Sequence, residues 1–189
     1  MRKLKKSAHG FIPHRSGAGF TLVELLVVIA IIAILAAVVV LIINPLELTR
    51  RGRDAARLSD LANLQQAINV AVQEATASSV AILCNSDSAT SCNGSSNVGS
   101  RSSDGSGWVK VNLSAQKSVS VPTLPIDPLN NAANHYTYCS DGDAWEIDTA
   151  LESTQQSGRM LTDGGEDDAV YEVGSKLSLI KLSGGTCTY

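Results

Sequence analysis

The chain is short of the residues from which catalytic sites are usually built. It has three histidines in 189 residues, two of them within the first 14 positions, and only 4% aromatic residues. It has no glycine-rich loop ending in Lys-Ser/Thr and no paired-histidine zinc motif. We therefore predict no catalytic residue and no enzymatic activity, and we interpret His135, the only histidine beyond residue 14, as an ordinary strand residue.

Acidic residues are missing from the start of the chain. Residues 1–19 contain five Lys or Arg and no acid, and residues 20–43 contain a single charge, Glu24. Residues 20–189 together are acidic, with 10 basic against 18 acidic side chains and a net charge near −8. Because phosphate binding needs clustered Lys and Arg, we expect no direct nucleic-acid partner for this acidic part.

Polar residues are almost absent between residues 20 and 43, where 22 of 24 residues are apolar. The uninterrupted apolar run at residues 25–43 would span about 28 Å as a helix, which matches a hydrocarbon core of about 30 Å. This pattern predicts a membrane-spanning helix. The basic residues before it favour an N-terminus in the cytoplasm.

A secretory signal peptide is the obvious alternative, since it too combines a basic start with an apolar stretch. The run is longer than the apolar region of the usual signal peptide, however, and Asn44-Pro45 follows it instead of a small-residue cleavage site. The unusual residue is Glu24, because a carboxylate in a bilayer segment costs at least ~2.5–3.5 kcal/mol. Taken alone, it could be protonated or reach the membrane edge, or it could meet a cation.

Residues 19–36 read GFTLVELLVVIAIIAILA. This stretch resembles the class III signal of the precursors of type IV pilins and of the related pseudopilins of type II secretion. The resemblance implies that residues 1–19 form a leader, which prepilin peptidase removes between Gly19 and Phe20 on the cytoplasmic side. It also implies N-methylation of Phe20, and pairing of Glu24 with the N-terminal amine of a neighbouring subunit.

Beyond the apolar run, hydrophobic residues recur at steps of three and four, which predicts an amphipathic helix. We expect one long helix over residues 20–77, with a membrane or filament-core part at 20–43 and an amphipathic continuation at 44–77. Pro45 and Gly52 are expected to interrupt or kink it. The predicted apolar stripe comprises Leu58, Leu61, Leu64, Ile68, Ala71 or Val72, and Ala75.

Four arginines follow the apolar run: Arg50, Arg51, Arg53 and Arg57. Clusters of this kind beside a membrane span are usually solvated or contact lipid head groups, and we favour this interpretation slightly. The alternative is that they pair with acidic residues on the heads of adjacent subunits in a filament.

The rest of the chain, residues 78–189, is predicted to be an extracytoplasmic head. Residues 78–107, rich in Ser, Asn and Gly, indicate a flexible surface loop, and residues 108–189 a β-rich part. The resulting fold class is α+β: the long helix packed against a small antiparallel sheet, which is also the pilin fold that the resemblance implies. The predicted β-rich segments are a strand at 108–113, an extended connector at 121–128, a hairpin of 135–139 and 144–152 around 140–143, and a last strand at 176–182.

All four cysteines lie beyond the apolar run, and an even number there fits disulfides outside the cytosol. Four cysteines allow three pairings. We expect Cys84 to pair with Cys92, and Cys139 with Cys187, the second resembling the C-terminal disulfide loop of many pilins. Crossed pairing is the alternative.

An acidic segment includes Asp163, Glu166, Asp167 and Asp168. Calcium favours several carboxylate and carbonyl oxygens brought together by a turn, and some pseudopilin heads hold calcium in a C-terminal loop. The segment is therefore a candidate calcium site, and calcium is the one cofactor that we consider. It lacks the spacing of an EF-hand loop, and an ordinary solvated run of acids is the alternative.

The leading hypothesis for function is a structural subunit of a type IV pilus. Its expected partners are identical subunits in a helical homopolymer, prepilin peptidase, the assembly platform and the inner membrane. The precursor would span the inner membrane once, and the product would be extracellular. A pseudopilin in a periplasmic pseudopilus is the alternative; a third class is a single-pass membrane protein with a ligand-binding or enzymatic head.

Overall fold

A computed structural model describes residues 19–85, 91–118, 120–181 and 186–188. The chain divides into two compact units, residues 1–44 and residues 45–189. Almost all of the predicted leader lies outside the described residues. The elements form an α+β arrangement consistent with the pilin fold: an apolar N-terminal helix and a four-stranded antiparallel sheet.

The first unit contains one helix, α1 (Leu22–Ile43), and none of its residues is buried. Thr21 caps its start, and Asn44 ends it in the left-handed conformation, with φ of 43°. Asparagine tolerates that conformation better than most residues. The proline that follows Asn44 also disfavours a helical conformation at the preceding residue, so the helix ends there.

The second unit begins with α2 (Pro45–Glu74). Proline suits the first helical position because its missing N–H has no intrahelical acceptor there. The helix expected over residues 20–77 is interrupted at Asn44-Pro45, where Pro45 was expected to interrupt or kink it, and its second part ends at Glu74. The expected interruption at Gly52 is wrong, since α2 continues through it.

One face of α2 is buried, and its positions follow the steps of three and four that the sequence predicted. Leu61, Leu64 and Ile68 are at most 1% exposed, and their apolar neighbours on this face are Ala67 and Ala71. Leu58 is only partly buried. The same face also includes two charged residues that the predicted apolar stripe did not contain, Asp54 and Arg57.

The sheet has four antiparallel strands in chain order: β1 (Cys92–Ser95), β2 (Thr137–Ser140), β3 (Trp145–Thr149) and β4 (Tyr171–Gly174). Three further elements complete the unit. These are a turn of helix α3 (Ser79–Leu83), another turn α4 (Ser157–Met160) between β3 and β4, and a C-terminal segment after β4.

The predicted hairpin is confirmed as β2 and β3, which pair with Ser140 opposite Trp145. Gly142 has a φ of +91° in the connecting turn, a conformation that glycine adopts without a side-chain clash. The Asp141 carboxylate accepts a hydrogen bond from the Ala144 N–H at 2.8 Å. These local features explain why this element was readable from the sequence.

One face of the sheet builds the main core with the apolar residues of α2. Tyr138, Ile147 and Val173 belong to this core, together with Trp108 and Tyr136 from the connecting segments. Two polar groups in this core have partners: the Trp108 indole N–H donates to the Pro125 carbonyl at 2.9 Å, and the Tyr138 hydroxyl donates to the Leu83 carbonyl at 2.7 Å.

The opposite face of the sheet is also covered. Side chains alternate between the two faces of a strand, so Glu146 and Asp148 of β3 point away from Ile147. Cys139 forms a second small core with Leu179 and Ile180 of the C-terminal segment. This second face therefore combines a small apolar cluster with carboxylates.

The predicted strand at residues 108–113 is wrong. Trp108, Val109, Val111 and Leu113 are fully buried, but the backbone there is irregular apart from an isolated bridge at Asn112. Its N–H groups bond locally, from Trp108 to the Ser100 carbonyl and from Leu113 to the Ser103 carbonyl. An alternating sequence shows which side chains are apolar but not where the backbone finds its partners.

The predicted last strand at residues 176–182 is also wrong. β4 lies earlier in the chain, and Ile180 forms only an isolated bridge with Cys187. The N–H groups of Leu179 and Ile180 donate instead to the Glu146 carboxylate, at 2.7 and 3.1 Å. Residue 182 lies outside the described residues.

The predicted surface loop at residues 78–107 is wrong in part. Within its described portions, the segment contains α3 and strand β1, and Leu83, Cys84 and Cys92 are buried. Sequence composition indicated a loop because β1 reads Cys-Asn-Gly-Ser, which has little β propensity. The strand forms because β2 supplies its hydrogen-bond partners.

Candidate functional site

The start of α1 is built around Thr21 and Glu24, which form a capping box. The Glu24 N–H donates to the Thr21 hydroxyl oxygen at 3.2 Å, and the Thr21 N–H donates to the Glu24 carboxylate at 2.9 Å. The Thr21 hydroxyl also donates to that carboxylate, at 2.8 Å. Such reciprocal bonds satisfy N–H groups that a helix leaves without partners, and they hold the Glu24 charge at the positive end of the helix dipole.

Glu24 has no cationic partner among the residues that the structure describes. It lies in the first turn of a 22-residue helix that is long and apolar enough to cross a membrane. The large side chains of α1 are all exposed, by 43% at Val28 to 83% at Leu41. A helix that is apolar beyond its first turn and has nothing buried needs an apolar environment, either lipid or other helices.

Residues 14–40 match the prokaryotic N-terminal methylation motif. The chain carries the class III signal of type IV pilin and pseudopilin precursors. The signal and the apolar helix together support membrane insertion, and they support a pilin-like or pseudopilin-like precursor that a peptidase processes. The motif also indicates a structural role. No curated protein and no solved structure matches the chain.

The signal contains the predicted processing positions. Gly19 and Phe20 directly precede the cap of α1, and both are exposed, with Phe20 at 78%. The Gly19-Phe20 bond therefore lies before the hydrogen-bonded part of the helix. Cleavage there and N-methylation of Phe20 stay predictions.

A second arrangement, which we call the ion cluster, joins α2 to the head. It consists of Arg53, Asp54 and Arg57 on α2, together with Asp127 and Glu152 from later segments. Arg57 donates through Nη1 to Asp54 at 2.8 Å and to Glu152 at 2.7 Å, and through Nη2 to Asp127 at 3.1 Å. Arg53 makes a bidentate contact with Glu152, at 2.7 and 2.9 Å.

The ion cluster is buried at its centre, since the side chains of Arg57, Asp54 and Asp127 are 0% exposed. The Asp54 carboxylate also accepts N–H groups of Glu152 and Ser153, the latter at 2.7 Å. Hydrogen bonds from Arg53, and then from Arg57, lower the pKa of Glu152 to about 2. Because each ion has several partners, the burial of charge is compensated.

The sequence-based interpretation of the arginines is corrected by this geometry. Arg53 and Arg57 bind acids of their own head, Glu152 and Asp127. A signal was available: Asp54 and Arg57 precede Leu61 by seven and four residues, in register with the apolar stripe. Arg51 is solvated, as the sequence-based interpretation expected. Its side chain is 46% exposed and pairs with Glu47.

The predicted calcium residues lie in the loop before β4. Asp163 is already engaged, since its carboxylate accepts the N–H groups of Gly165 at 3.1 Å and of Glu172 at 2.9 Å. Glu166 and Asp168 are exposed. Across the described ranges, no group of three or more His, Cys, Asp or Glu side chains has metal-holding geometry. Calcium binding by the four loop acids therefore stays a proposal, which a calcium titration of the full-length chain tests: an unchanged Tm at millimolar calcium would contradict it.

Sequence reasoning missed the buried carboxylates beneath this loop. Glu146 and Asp148 of β3 and Glu172 of β4 are at most 3% exposed. Burial, and then a hydrogen bond with Glu146, raise the pKa of Glu172 to about 8. Burial raises the pKa of Asp148 to about 7 and also raises the pKa of Glu146. The sequence Trp-Glu-Ile-Asp shows apolar and acidic residues in alternation. It does not show that both faces of the sheet would be covered.

The disulfides are the two expected pairs. Cys84 bonds Cys92 across eight residues, and Cys139 bonds Cys187 across 48. The first closes the segment between α3 and β1. The second ties the C-terminal segment to β2, because Cys139 lies in that strand and is fully buried.

His135 directly precedes the fully buried Tyr136 near the start of β2, where its Nδ1 lies 3.2 Å from the Asn131 carbonyl oxygen. That contact is with a neighbouring turn, so among the described residues His135 has a local hydrogen bond to the backbone.

Proposed function

We propose that the chain is a structural subunit of a type IV pilus, cut after Gly19 and assembled through α1. One observation carries the proposal. The methylation motif overlaps an apolar helix that has no buried residue and whose single charge is Glu24. Peptidase cleavage would create an ammonium group at Phe20. In the assembled filament that group, on a neighbouring subunit, neutralises Glu24.

The precursor is held in the inner membrane with its N-terminus in the cytoplasm, and the head lies outside the cytoplasm. The two disulfides support a location of the head outside the cytoplasm, because disulfides persist in oxidising compartments. Extraction from the membrane then exchanges lipid contacts of α1 for contacts with the same helix of neighbouring subunits. The assembly platform and prepilin peptidase are the partners that this route requires.

Intact mass of the native protein tests the processing step. We expect a chain of residues 20–189, with a methyl group on the Phe20 amine and both disulfides closed. Retention of residues 1–19 would contradict the pilus and pseudopilus functions together, and would favour a single-pass membrane protein with a binding or enzymatic head.

Substitution at Glu24 tests the assembly step. Glu24→Gln removes the charge, but glutamine still completes a capping box, so α1 should keep its start. We expect filaments sheared from cells to be lost in Glu24→Gln as in Glu24→Ala, with unchanged membrane levels of the subunit. Assembly of Glu24→Gln at the native level would show that charge pairing is not required.

Imaging of sheared filaments, with identification of their subunit by mass spectrometry, separates a pilus from a pseudopilus. Surface filaments built from this chain are expected for a pilus. If filaments are missing and deletion of the gene blocks protein secretion instead, the chain is a pseudopilin.

A further inference from the structure

The first turns of α2 expose two leucines. Leu46 is 58% exposed and Leu48 is 60% exposed. Both precede the buried face of α2, whose first member is Asp54. They also follow directly on an apolar helix that is long enough to cross a membrane. Leucines in this position suit the boundary between lipid and water, where amphipathic helices bury their apolar side chains.

Two arginines of the same turns have charge available for a partner outside the head. Within the described residues Arg50 forms no ion pair, and the side chain of Arg51 is 46% exposed. Arg51 contacts Glu47 at 3.4 Å. The Glu47 carboxylate also accepts the Thr154 N–H at 2.9 Å and the Thr154 hydroxyl at 2.8 Å, so the head shares this acid with Arg51.

The next arginines along α2 differ, because acids of the head bind them. Arg53 contacts Glu152 at 2.7 Å, and Arg57 contacts Asp127 at 2.5 Å. The head therefore neutralises the arginines that it covers and leaves those before it. We call the exposed part of these turns the proximal surface, which consists of Leu46, Leu48, Arg50 and Arg51.

The length of chain between the span and the proximal surface is short. Arg50 is seven residues after Ile43, where α1 ends. Five of these steps lie within α2 and rise about 1.5 Å each, and the other two add at most about 3.8 Å each. In any orientation of α2, the Arg50 Cα therefore lies within about 15 Å of the end of α1. The head-group region is about 5–8 Å deep, and a long arginine side chain can extend towards it.

We propose that the proximal surface binds the head groups of anionic phospholipids while α1 spans the membrane. The positive charge of Arg50 and Arg51 complements the lipid phosphates, and each arginine near an anionic surface contributes about a fivefold preference. Leu46 and Leu48 enter the apolar boundary beneath the head groups. The proposal rests on the membrane-inserted precursor of the proposed function and applies to a pilin and a pseudopilin alike. Extraction into a filament has to break these contacts.

Lipid selectivity of the full-length chain tests the proposal. The chain is reconstituted into vesicles of equal phosphatidylcholine and phosphatidylglycerol and extracted with a mild detergent, and the retained lipids are counted by mass spectrometry. We expect phosphatidylglycerol to exceed phosphatidylcholine at least about fivefold in 0.1 M salt. The excess should be largely lost in 1 M salt, where the screening length falls from about 10 Å to about 3 Å. Equal retention of the two lipids would overturn the proposal and leave the cleavage and filament tests unaffected.

A matched pair of variants locates the contact. Arg50→Gln should lower the lipid ratio about fivefold. Lys117→Gln removes the same charge near the other end of α2, where the Lys117 N–H donates to Glu74, and should keep the native ratio. Arg50 and Glu74 are about 36 Å apart along the helix, which exceeds the screening length at 0.1 M salt. A native ratio in Arg50→Gln, or an equal fall in Lys117→Gln, would overturn the assignment to the proximal surface.

Two further measurements separate lipid binding from other roles of Arg50. Arg50→Lys keeps the charge and should keep the lipid ratio, and Tm followed by tryptophan fluorescence shows whether each variant is folded. If Arg50→Gln does not fold, Arg51→Gln replaces it, since Arg51 is exposed. Loss of sheared filaments with a native lipid ratio would show that the arginine contacts a neighbouring subunit, and would overturn the lipid proposal.

Discussion

The two long helices of this protein follow one another in sequence but differ in what surrounds them. α1 has no buried residue along its 22 positions, whereas α2 buries seven of its 30. α1 has a single charge, at its start, which bonds to its own cap. α2 has many charges and buries two of them, Asp54 and Arg57, against the head.

This difference shows that hydrophobicity alone does not decide which helix belongs to the core of its own chain. The more apolar helix is the exposed one, because its apolar surface is complementary to lipid or to other helices. The more polar helix is packed, because its apolar residues share one face and its two buried charges meet oppositely charged partners.

The largest expected effect comes from removing the centre of the ion cluster. Arg57→Ala leaves Asp54 and Asp127 buried without a cation, and we expect the free energy of unfolding of the head to fall by about 3–5 kcal/mol. Urea unfolding of the full-length chain, followed by tryptophan fluorescence, measures it. Arg51→Ala, at an exposed site of the same helix, is the control and should change stability by less than about 0.5 kcal/mol. Equal losses would mean that the cluster does not anchor α2.

The next largest effect is expected when a leucine is replaced by alanine in α2 but not when the same substitution is made in α1. Leu64→Ala removes a side chain that is 1% exposed and should cost about 2–4 kcal/mol of head stability. Leu35→Ala, at a side chain that is 60% exposed, should leave head unfolding unchanged. If Leu35→Ala destabilises the head as well, the two units do not unfold independently.

Acid should weaken the contact between α2 and the head through Glu152. Its pKa is lowered in the folded protein to about 2, from an ordinary value of 4.5. The stabilisation is therefore complete above about pH 4.5 and is lost as the pH falls towards 2. We expect native Tm to fall more steeply in this window than that of Glu152→Gln. Asp168→Asn, an exposed acid, should follow the native curve; parallel curves for all three would contradict the role of Glu152.

The smallest expected effect concerns Gly52. It is exposed inside α2, and no atom lies within 4 Å of an added Cβ, so Gly52→Ala should stabilise the head by about 0.5–1 kcal/mol. Gly94→Ala is the contrasting variant, because its Cβ would lie 2.0 Å from the Trp108 carbonyl oxygen, and it should destabilise. Loss of stability in Gly52→Ala would indicate that the helix needs flexibility at Gly52.

The features predicted from the sequence were those with local causes. The methylation motif and the apolar run are continuous in sequence, and the hairpin has its own turn residues, Asp141 and Gly142. Strand β1 was missed because its partners come from β2, more than 40 residues away. The strand predicted at 108–113 failed for the converse reason, since its backbone bonds to nearby carbonyls although its side chains alternate.

The buried charges were beyond sequence reasoning of this kind. Asp127 lies 70 residues from Arg57, and Glu152 lies 95 residues from it. Nothing local indicates that these acids meet one guanidinium. Glu146 and Glu172 were hidden for a related reason, since a carboxylate in a strand is expected to face water until another segment covers it.

The sequence by itself determined the class III signal, the apolar length of α1 and the position of Glu24, because each depends on residues close together in the chain. Only the tertiary structure decided which charges are buried. Burial requires that distant segments cover a side chain, and a charge remains there only when those segments also bring a partner. In the ion cluster that partner is present, since Arg57 lies between Asp54, Asp127 and Glu152.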